Sequence, residues 1–282
     1  MAPQISDLHV GSGDFHEDRL DNALRFVDQR RPDVVVVTGD LTDKGRLAQF
    51  RLAKEKLSKL ESSHRVVYVS GNHDTKNNGL IFFEQLFGPR RSVTVLEELD
   101  TIVVALRSPK QDVRDGEIGD EQLEWVIETF EDCPYENRVL ALHHHLIAVP
   151  DGGRRKDVVA DAGDLLALTQ DFKVNLVLQG HQHVPHAWVI GPTTFLYSGT
   201  TCTEKLRYDE DPCFNLIEID GPDLTVTTVS SIDLSETRLL VRRQGRTKFV
   251  RPRTYRIESL RASPVFKEEF WRFGPKHQPP RQ

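Results

Sequence analysis

The chain has 282 residues, with 43 acidic and 37 basic side chains, 11 histidines and three cysteines, giving a formal charge of −6. At 38% hydrophobic and 28% charged, this is the composition of a globular chain with a sizeable core, not of a disordered or fibrous one. No run approaches the ~20 apolar residues of a membrane span, no basic and apolar leader is visible, and three cysteines without a CxxC pair argue against a disulfide framework or a thiolate zinc site. A cytoplasmic enzyme or binding protein is expected.

In chain order, short apolar strands alternate with amphipathic helices. Residues 5–9 read as a short opening strand and its exit loop; only Met1–Ser6 precede Asp7, and Pro3 interrupts them. Leu20, Ala23, Leu24 and Val27 recur at helical spacing, and Pro32-Asp33 closes that helix before the β-branched run Val34–Thr38. A second helix is predicted over 47–60, a strand over 65–70, a helix over 79–87 and a strand over 101–106. Asp120 reads as the N-cap of a helix through Phe130, with Leu123, Val126, Ile127 and Phe130 on one face. A strand over 138–142, a helix around 160–171 and a strand over 174–178 follow. Strands then crowd together near 186–190, 194–198, 213–219 and 224–230. Successive βαβ units followed by antiparallel strands predict a layered α/β fold with a mixed sheet or two stacked sheets.

Five apolar strands end in short polar clusters: Asp7-x-His9, Gly39-Asp40-Leu41-Thr42-Asp43, Gly71-Asn72-His73-Asp74, His143-His144-His145 and Gly180-His181-Gln182-His183. Ligands of open α/β sheets bind beyond the carboxyl ends of strands, so five such ends predict one site. Aspartate, asparagine and imidazole form a mixed oxygen and nitrogen donor set suited to Mn, Fe, Zn or Co. Seven donors exceed the needs of one tetrahedral ion with an open position and suit two ions sharing a carboxylate. The i, i+2 spacing of Asp7 with His9, and of His181 with His183, would bring each pair to one side if the backbone is extended. The glycines before Asp40, Asn72 and His181 would allow tight turns. Two divalent ions outweigh the charges of Asp7 and Asp40, and the positive residue would hold a hydroxide and attract a phosphate.

At these residues the sequence resembles the calcineurin-like metallophosphoesterases, whose blocks DxH, GDxxD, GNH[DE], H and GHxH occur here in that order across roughly residues 4–220. The resemblance implies a four-layer α/β/β/α sandwich and a dinuclear centre of two divalent or mixed-valence ions (Mn, Fe or Zn). It implies Asp7, His9, Asp40 and His183 around one ion, and bridging Asp40 with Asn72, His143 and His181 around the second. His73 would face the substrate phosphate or leaving group, oriented by Asp74, while Asp43 would brace its loop by hydrogen bonding. The His run, Glu121–Trp125, Ser198-Gly199-Thr200 and Phe214-Asn215 are similar to the bacterial cyclic-nucleotide phosphodiesterase branch. A phosphodiesterase using a hydroxide held by two metals is therefore expected. The alternatives are a phosphomonoesterase, protein phosphatase or nuclease of the same superfamily, or a scaffold that binds without catalysis.

Other features carry bland readings beside sharper ones. His143 ends the apolar run Val139–Leu142 and is preferred over His144 as a ligand; His145 is expected to be structural and His186 to lie on the following strand. Arg154 and Arg155, after Pro150-Asp151-Gly152-Gly153, are either a solvated turn or a clamp on phosphate oxygens. Residues 1–237 hold 24 basic and 40 acidic side chains, whereas 238–282 hold 13 and 3. The chain is therefore divided into a phosphoesterase domain, 1–237, and a basic extension with interleaved aromatics, 238–282. That extension could serve solubility, pairing with the acidic body of this chain or a second copy, or nucleic-acid contact. No membrane contact is expected.

Overall fold

Val34–Thr38 is β-branched throughout and forms a strand buried at every position, as expected where both faces of a parallel sheet are covered. Its alternate side chains separate two cores. Val34 and Val36 pack with Val67, Val69, Val103, Ala105, Val139, Ala141, Leu176 and Leu178 between two sheets. Val35 and Val37 instead join Ile5, Tyr68, Leu20, Val27, Phe50 and Leu57 beneath helices. The second sheet repeats this parity, with Ile102, Val104, Leu140, Val177 and Phe195 packed against Val126, Phe130 and Leu165. The result is the expected four-layer α/β/β/α arrangement.

The computed structural model describes residues 1–149, 158–206 and 210–249. The first sheet contains β1 (Ala2–Ile5), β2 (Val34–Thr38), β3 (Arg65–Val69), β10 (Cys213–Asp220), β11 (Asp223–Ser230), β12 (Glu236–Arg243) and β13 (Arg246–Phe249), in the order β13-β12-β11-β10-β1-β2-β3. The second contains β4 (Ser92–Leu96), β5 (Thr101–Ala105), β6 (Asn137–Ala141), β7 (Leu176–Gln179), β8 (His186–Ile190) and β9 (Thr193–Tyr197), in the order β4-β5-β6-β7-β9-β8. Helices α1 (Glu17–Gln29), α2 (Leu47–Ser63) and α3 (Gly79–Leu86) cover the first sheet, and α4 (Asp120–Glu131) and α5 (Ala162–Asp171) cover the second. Strands β1, β2 and β3 are mutually parallel, as are β6 and β7, so all five polar clusters follow carboxyl ends of strands.

Several local expectations change. The Pro3-containing opening segment lies between β2 and β10, with Pro3 opposite Leu216. Proline offers no amide donor to that ladder. Asp120 is the first helical residue of α4, whose N-cap is Gly119. The carboxylate of Asp161 holds this entry, accepting the amides of Ile118 at 2.9 Å and Gly119 at 2.7 Å. β12 spans the 237/238 boundary and pairs antiparallel with β11 and β13, so the extension's opening residues belong to the first sheet, with β13 at its edge. Its remainder, 250–282, lies outside the described residues. Among the described residues no helix is long and apolar enough to cross a membrane.

Candidate metal centre

The site straddles the mouth between the two sheets. β1, β2 and β3 bring Asp7, His9, Asp40 and Asn72 from one side; β6 and β7 bring His143, His181 and His183 from the other. All seven are buried. Their potential ligand atoms form two compact triads, Asp7 with His9 and His183, and Asp40 with His143 and His181; within each triad these atoms lie within 4.8 Å of one another. Asp40 faces both: its Oδ2 lies 3.7 Å from His9 Nε2 and 3.5 Å from His143 Nε2. Asn72 Oδ1 lies 3.2 Å from His143 Nε2. The structure therefore brings together every residue expected to ligate, with Asp40 between the two groups.

The backbone route differs from the one the spacing implied. Asp7 (φ 53°), His9 (φ 47°), Asp40 (φ 52°), His181 (φ 73°) and His183 (φ 57°) all lie in the left-handed region, so an extended i, i+2 ribbon is not what aligns the pairs. Left-handed backbone costs an L-residue on the order of 1–2 kcal/mol and persists only where surrounding bonds over-determine it. Those bonds are present. Asp7 N–H donates to Gly39 O at 3.0 Å, His9 N–H to Asp40 O at 2.9 Å, and His181 N–H to Asp7 Oδ2 at 3.0 Å. The glycines also serve closer packing than expected. A side chain at Gly71 would strike the backbone and carboxylate of Asp40, and one at Gly180 would reach Ser6 Oγ and, at 2.7 Å, Asp7 Oδ2.

Two of the imidazoles, His143 and His183, are aimed by their other nitrogen. His143 Nδ1–H donates to Thr38 O at 2.8 Å, and His183 Nδ1–H donates to Lys205 O at 2.5 Å, leaving each Nε2 directed at the cluster. This is how metal-binding histidines are oriented. Burial draws His9 and His181 well below the usual imidazole range, which keeps them neutral and able to donate a lone pair. Burial also opposes charge on His143, but Asp40 and Asp7 outweigh it and lift His143 to about 9. Burial likewise works against ionised Asp40, yet His143 and His73 hold its carboxyl well below the usual range. The donor set, its burial and its paired geometry fit two ions sharing Asp40.

The three histidines of the run have different surroundings. His144 contacts Ser108 Oγ through Nδ1 at 2.9 Å and Arg114 O through Nε2 at 2.9 Å, so both ring nitrogens engage protein. Burial and the nearby His143 push it down to about 3. His145 Nε2 meets Gly180 O at 2.5 Å, and its ring packs on Tyr197. His186 begins β8 and packs beside Trp188.

His73 is half-buried at the cluster's edge, and its surroundings correct the expected role of Asp74. The Asp74 carboxylate accepts the amides of Leu41 (3.1 Å), Thr42 (2.9 Å) and Gly71 (2.9 Å) and the Thr42 hydroxyl (2.9 Å). It thus staples the β2 loop to the β3 loop and makes no described hydrogen bond to His73. Asp43 orients the ring instead: His73 Nδ1 lies 2.7 Å from Asp43 O and 3.6 Å from Asp43 Oδ1. The two aspartates exchange the parts expected of them, because the turn at Asp40 brings Asp43 over the ring while Asp74 points back beneath it.

Above the cluster opens a cleft of about 580 Å³, lined by His9, Asp40, Asn72, His73, His181 and His183 at its base. Lys76, Arg114 and Lys205 bring positive charge to its walls, and Val113 and Leu206 bring apolar surface. These residues escaped the sequence reading, although Lys76 follows His73 by three. Arg154 and Arg155 lie outside the described residues.

Comparisons with known proteins agree with this geometry. The calcineurin-like phosphoesterase family profile matches residues 4–185. A cAMP/cGMP dual-specificity phosphodiesterase of Mycobacterium tuberculosis is 30% identical over 261 residues, 83% of this chain and 80% of the relative. A glycerophosphodiester phosphodiesterase of Enterobacter lignolyticus is 25% identical over 185 residues, 63% of each chain. Among solved structures, the purple acid phosphatase of yellow lupin seeds superposes with a TM-score of 0.64 at 14% identity, covering 84% of this chain and 52% of that one; it supports the fold alone. A profile match over more than half the chain, on strand ends that converge in one buried donor cluster, establishes that this protein belongs to the calcineurin-like phosphoesterase family.

Proposed function

We propose that the protein hydrolyses a phosphodiester, with a 3′,5′-cyclic nucleotide as the favoured substrate class. The observation that carries this reading is the pair of buried triads sharing Asp40 at the base of a positively lined cleft. Asp7, His9, His183 and Asp40 would hold one ion, and Asp40, Asn72, His143 and His181 the other. The mixed oxygen and nitrogen donors suit Mn, Fe or Zn. When bound, the pair supplies Lewis acidity toward phosphoryl oxygens and a water of lowered pKa.

The chain's own groups perform the rest. His73, fixed through Nδ1 by Asp43, presents its other nitrogen toward the cleft, where it steadies charge on the leaving oxygen or gives it a proton. Lys76 and Arg114 attract the substrate anion and help hold it against the base. Val113 and Leu206 offer apolar surface for a base or sugar face. Two relatives bear on the substrate: the mycobacterial one is named for cAMP and cGMP, the Enterobacter one for glycerophosphodiesters. The longer match to the former favours the cyclic nucleotide. A cytoplasmic location agrees with Cys133, Cys202 and Cys213 forming no disulfide among the described residues.

The test is a side-by-side rate comparison on a phosphomonoester, bis(p-nitrophenyl) phosphate, 3′,5′-cyclic AMP, a 2′,3′-cyclic nucleotide, a glycerophosphodiester and single-stranded DNA, with Mn added. The highest kcat/KM is expected on 3′,5′-cyclic AMP. A preference for the monoester or for DNA would overturn the diesterase reading, and a preference for the glycerophosphodiester would overturn the choice of substrate class.

A further inference from the structure

Lys205 lies 22 residues beyond His183, yet it touches two separate parts of the site. Its carbonyl oxygen accepts the His183 Nδ1–H at 2.5 Å. Its ammonium pairs with the Asp43 carboxylate, and Asp43 in turn faces His73 through both its carbonyl and its carboxylate. Lys205 also lines the cleft, so its charge is positioned where it could meet substrate directly or act through Asp43.

The turn that carries it is built rigidly. Thr201 exchanges two bonds with Ser6: its amide donates to Ser6 O at 2.9 Å, and its hydroxyl accepts the Ser6 amide at 3.1 Å. Thr200 Oγ1 donates to Asp7 O at 2.7 Å. Thr200 and Thr203 share a hydroxyl contact of 2.9 Å, and the Lys205 amide donates to Thr203 Oγ1 at 3.3 Å. The segment before Lys205 is thus pinned to the loop that carries Asp7, and the ammonium arrives at Asp43 from a fixed base. Asp43 is partly buried, and burial works against its charge, but the hydrogen bond and charge of Lys205 win and hold its carboxyl below the usual range.

We propose that Lys205 is a positioning residue for the reaction: its ammonium holds Asp43 so that Asp43 fixes His73 toward the leaving oxygen. This rests on the function proposed above. Without the ammonium, Asp43 loses its one described side-chain ion-pair partner among the lysines, and its carboxylate is left to turn toward solvent or toward Lys44 and Lys76. His73 keeps the bond from Nδ1 to the backbone carbonyl of Asp43 but loses the carboxylate 3.6 Å from that nitrogen, the negative charge that steadies the ring when it carries the proton for the leaving oxygen. Because the carbonyl of Lys205 belongs to the backbone, replacing the side chain leaves the support of His183, and with it the donor cluster, in place.

The decisive comparison uses Lys205→Met, Lys205→Arg, Asp43→Asn and the Lys205→Met/Asp43→Asn double variant, each loaded with Mn. Two diesters are used: 3′,5′-cyclic AMP, whose leaving alkoxide needs protonation, and bis(p-nitrophenyl) phosphate, whose leaving phenolate does not. Lys205→Met is expected to lower kcat on cyclic AMP about tenfold, with KM within twofold and metal content unchanged, while the aryl diester loses less than threefold. Lys205→Arg should recover most of the loss, and the double variant should be no slower than Asp43→Asn, since the two act as one unit. A rise in KM on both diesters with additive losses would overturn the proposal and make Lys205 a substrate contact. Equal losses of kcat on both diesters would also overturn it. If the wild-type protein with two metals turned over neither diester, the function proposed above would have failed instead, an outcome separate from either.

Discussion

Replacing Asp74 by alanine distinguishes a structural staple from an orienting partner of His73. The buried carboxylate accepts three backbone amides and one hydroxyl, at 2.9–3.1 Å. Alanine removes all four acceptor contacts and leaves the buried amides of Leu41, Thr42 and Gly71 without that acceptor. An abandoned buried donor costs roughly 1–3 kcal/mol. Relaxation, water entry and relief of the burial and Asp40 repulsion that lift the Asp74 carboxyl to about 7 offset part of this, so the sum should come to about 2–4 kcal/mol. That is a large share of the ~5–15 kcal/mol that holds a typical domain together. Urea unfolding of the metal-free protein, followed by tryptophan fluorescence and by circular dichroism to check that the transition is two-state, measures the loss. Asp74→Asn retains one acceptor oxygen and should lose about half as much. A loss below 1 kcal/mol in Asp74→Ala, with kcat reduced as far as in His73→Ala, would refute the staple and restore Asp74 as the group that orients His73.

Three further outcomes follow from the same geometry. His143 is lifted to about 9 from 6.5 in the folded protein, so its protonation stabilises the metal-free fold fully below pH 6.5, and this stabilisation is lost as pH rises through 9. The change should be on the order of 3 kcal/mol in metal-free urea titrations and should shrink in the metal-loaded protein, where the ring must be deprotonated; a flat metal-free profile from pH 6 to 9.5 would count against the His143–Asp40 pairing. Gly71→Ala, whose added methyl meets Asp40, should lower bound metal below two equivalents and turnover at least 100-fold, read by elemental analysis beside the rate. His144→Ala should lose about 2–3 kcal/mol of stability through its broken contacts with Ser108 and Arg114 while retaining two metals, whereas His143→Ala should lose metal; the reverse pattern in elemental analysis would exchange their roles.

The donor set was legible because each member stands just beyond a β-branched or aliphatic run, and parallel strands deliver such residues to one edge. His143 was distinguishable from His144 on the same ground, being the first polar residue after Leu142. What the sequence hid depends on the path of loops. Nothing local marks which of two nearby aspartates faces His73; the left-handed turn at Asp40 decides it. The i, i+2 spacing singled out residues that the fold does gather, but through a different backbone: tight left-handed turns, and not an extended ribbon, bring Asp7 to His9 and His181 to His183. Lys205 was hidden because its link to Asp43 joins segments 162 residues apart. The strands β12 and β13 look like part of a basic extension because Arg238, Arg242, Arg243, Arg246 and Lys248 mask the buried Leu239 and Leu240, and β13, at the sheet's edge, carries the charge common on such strands.

The central claim is that one buried cluster binds two ions through a shared Asp40 and uses both in hydrolysis. The most direct measurement is a titration of metal-stripped protein with Mn, recording bound metal and the rate on 3′,5′-cyclic AMP at each point, for the wild type and for Asp40→Ala. Wild-type turnover should rise with occupancy and saturate at two equivalents, while Asp40→Ala binds fewer than two and falls by at least 1000-fold. Full wild-type turnover in the stripped protein or at one equivalent, or substantial turnover by Asp40→Ala with two ions still bound, would contradict the account.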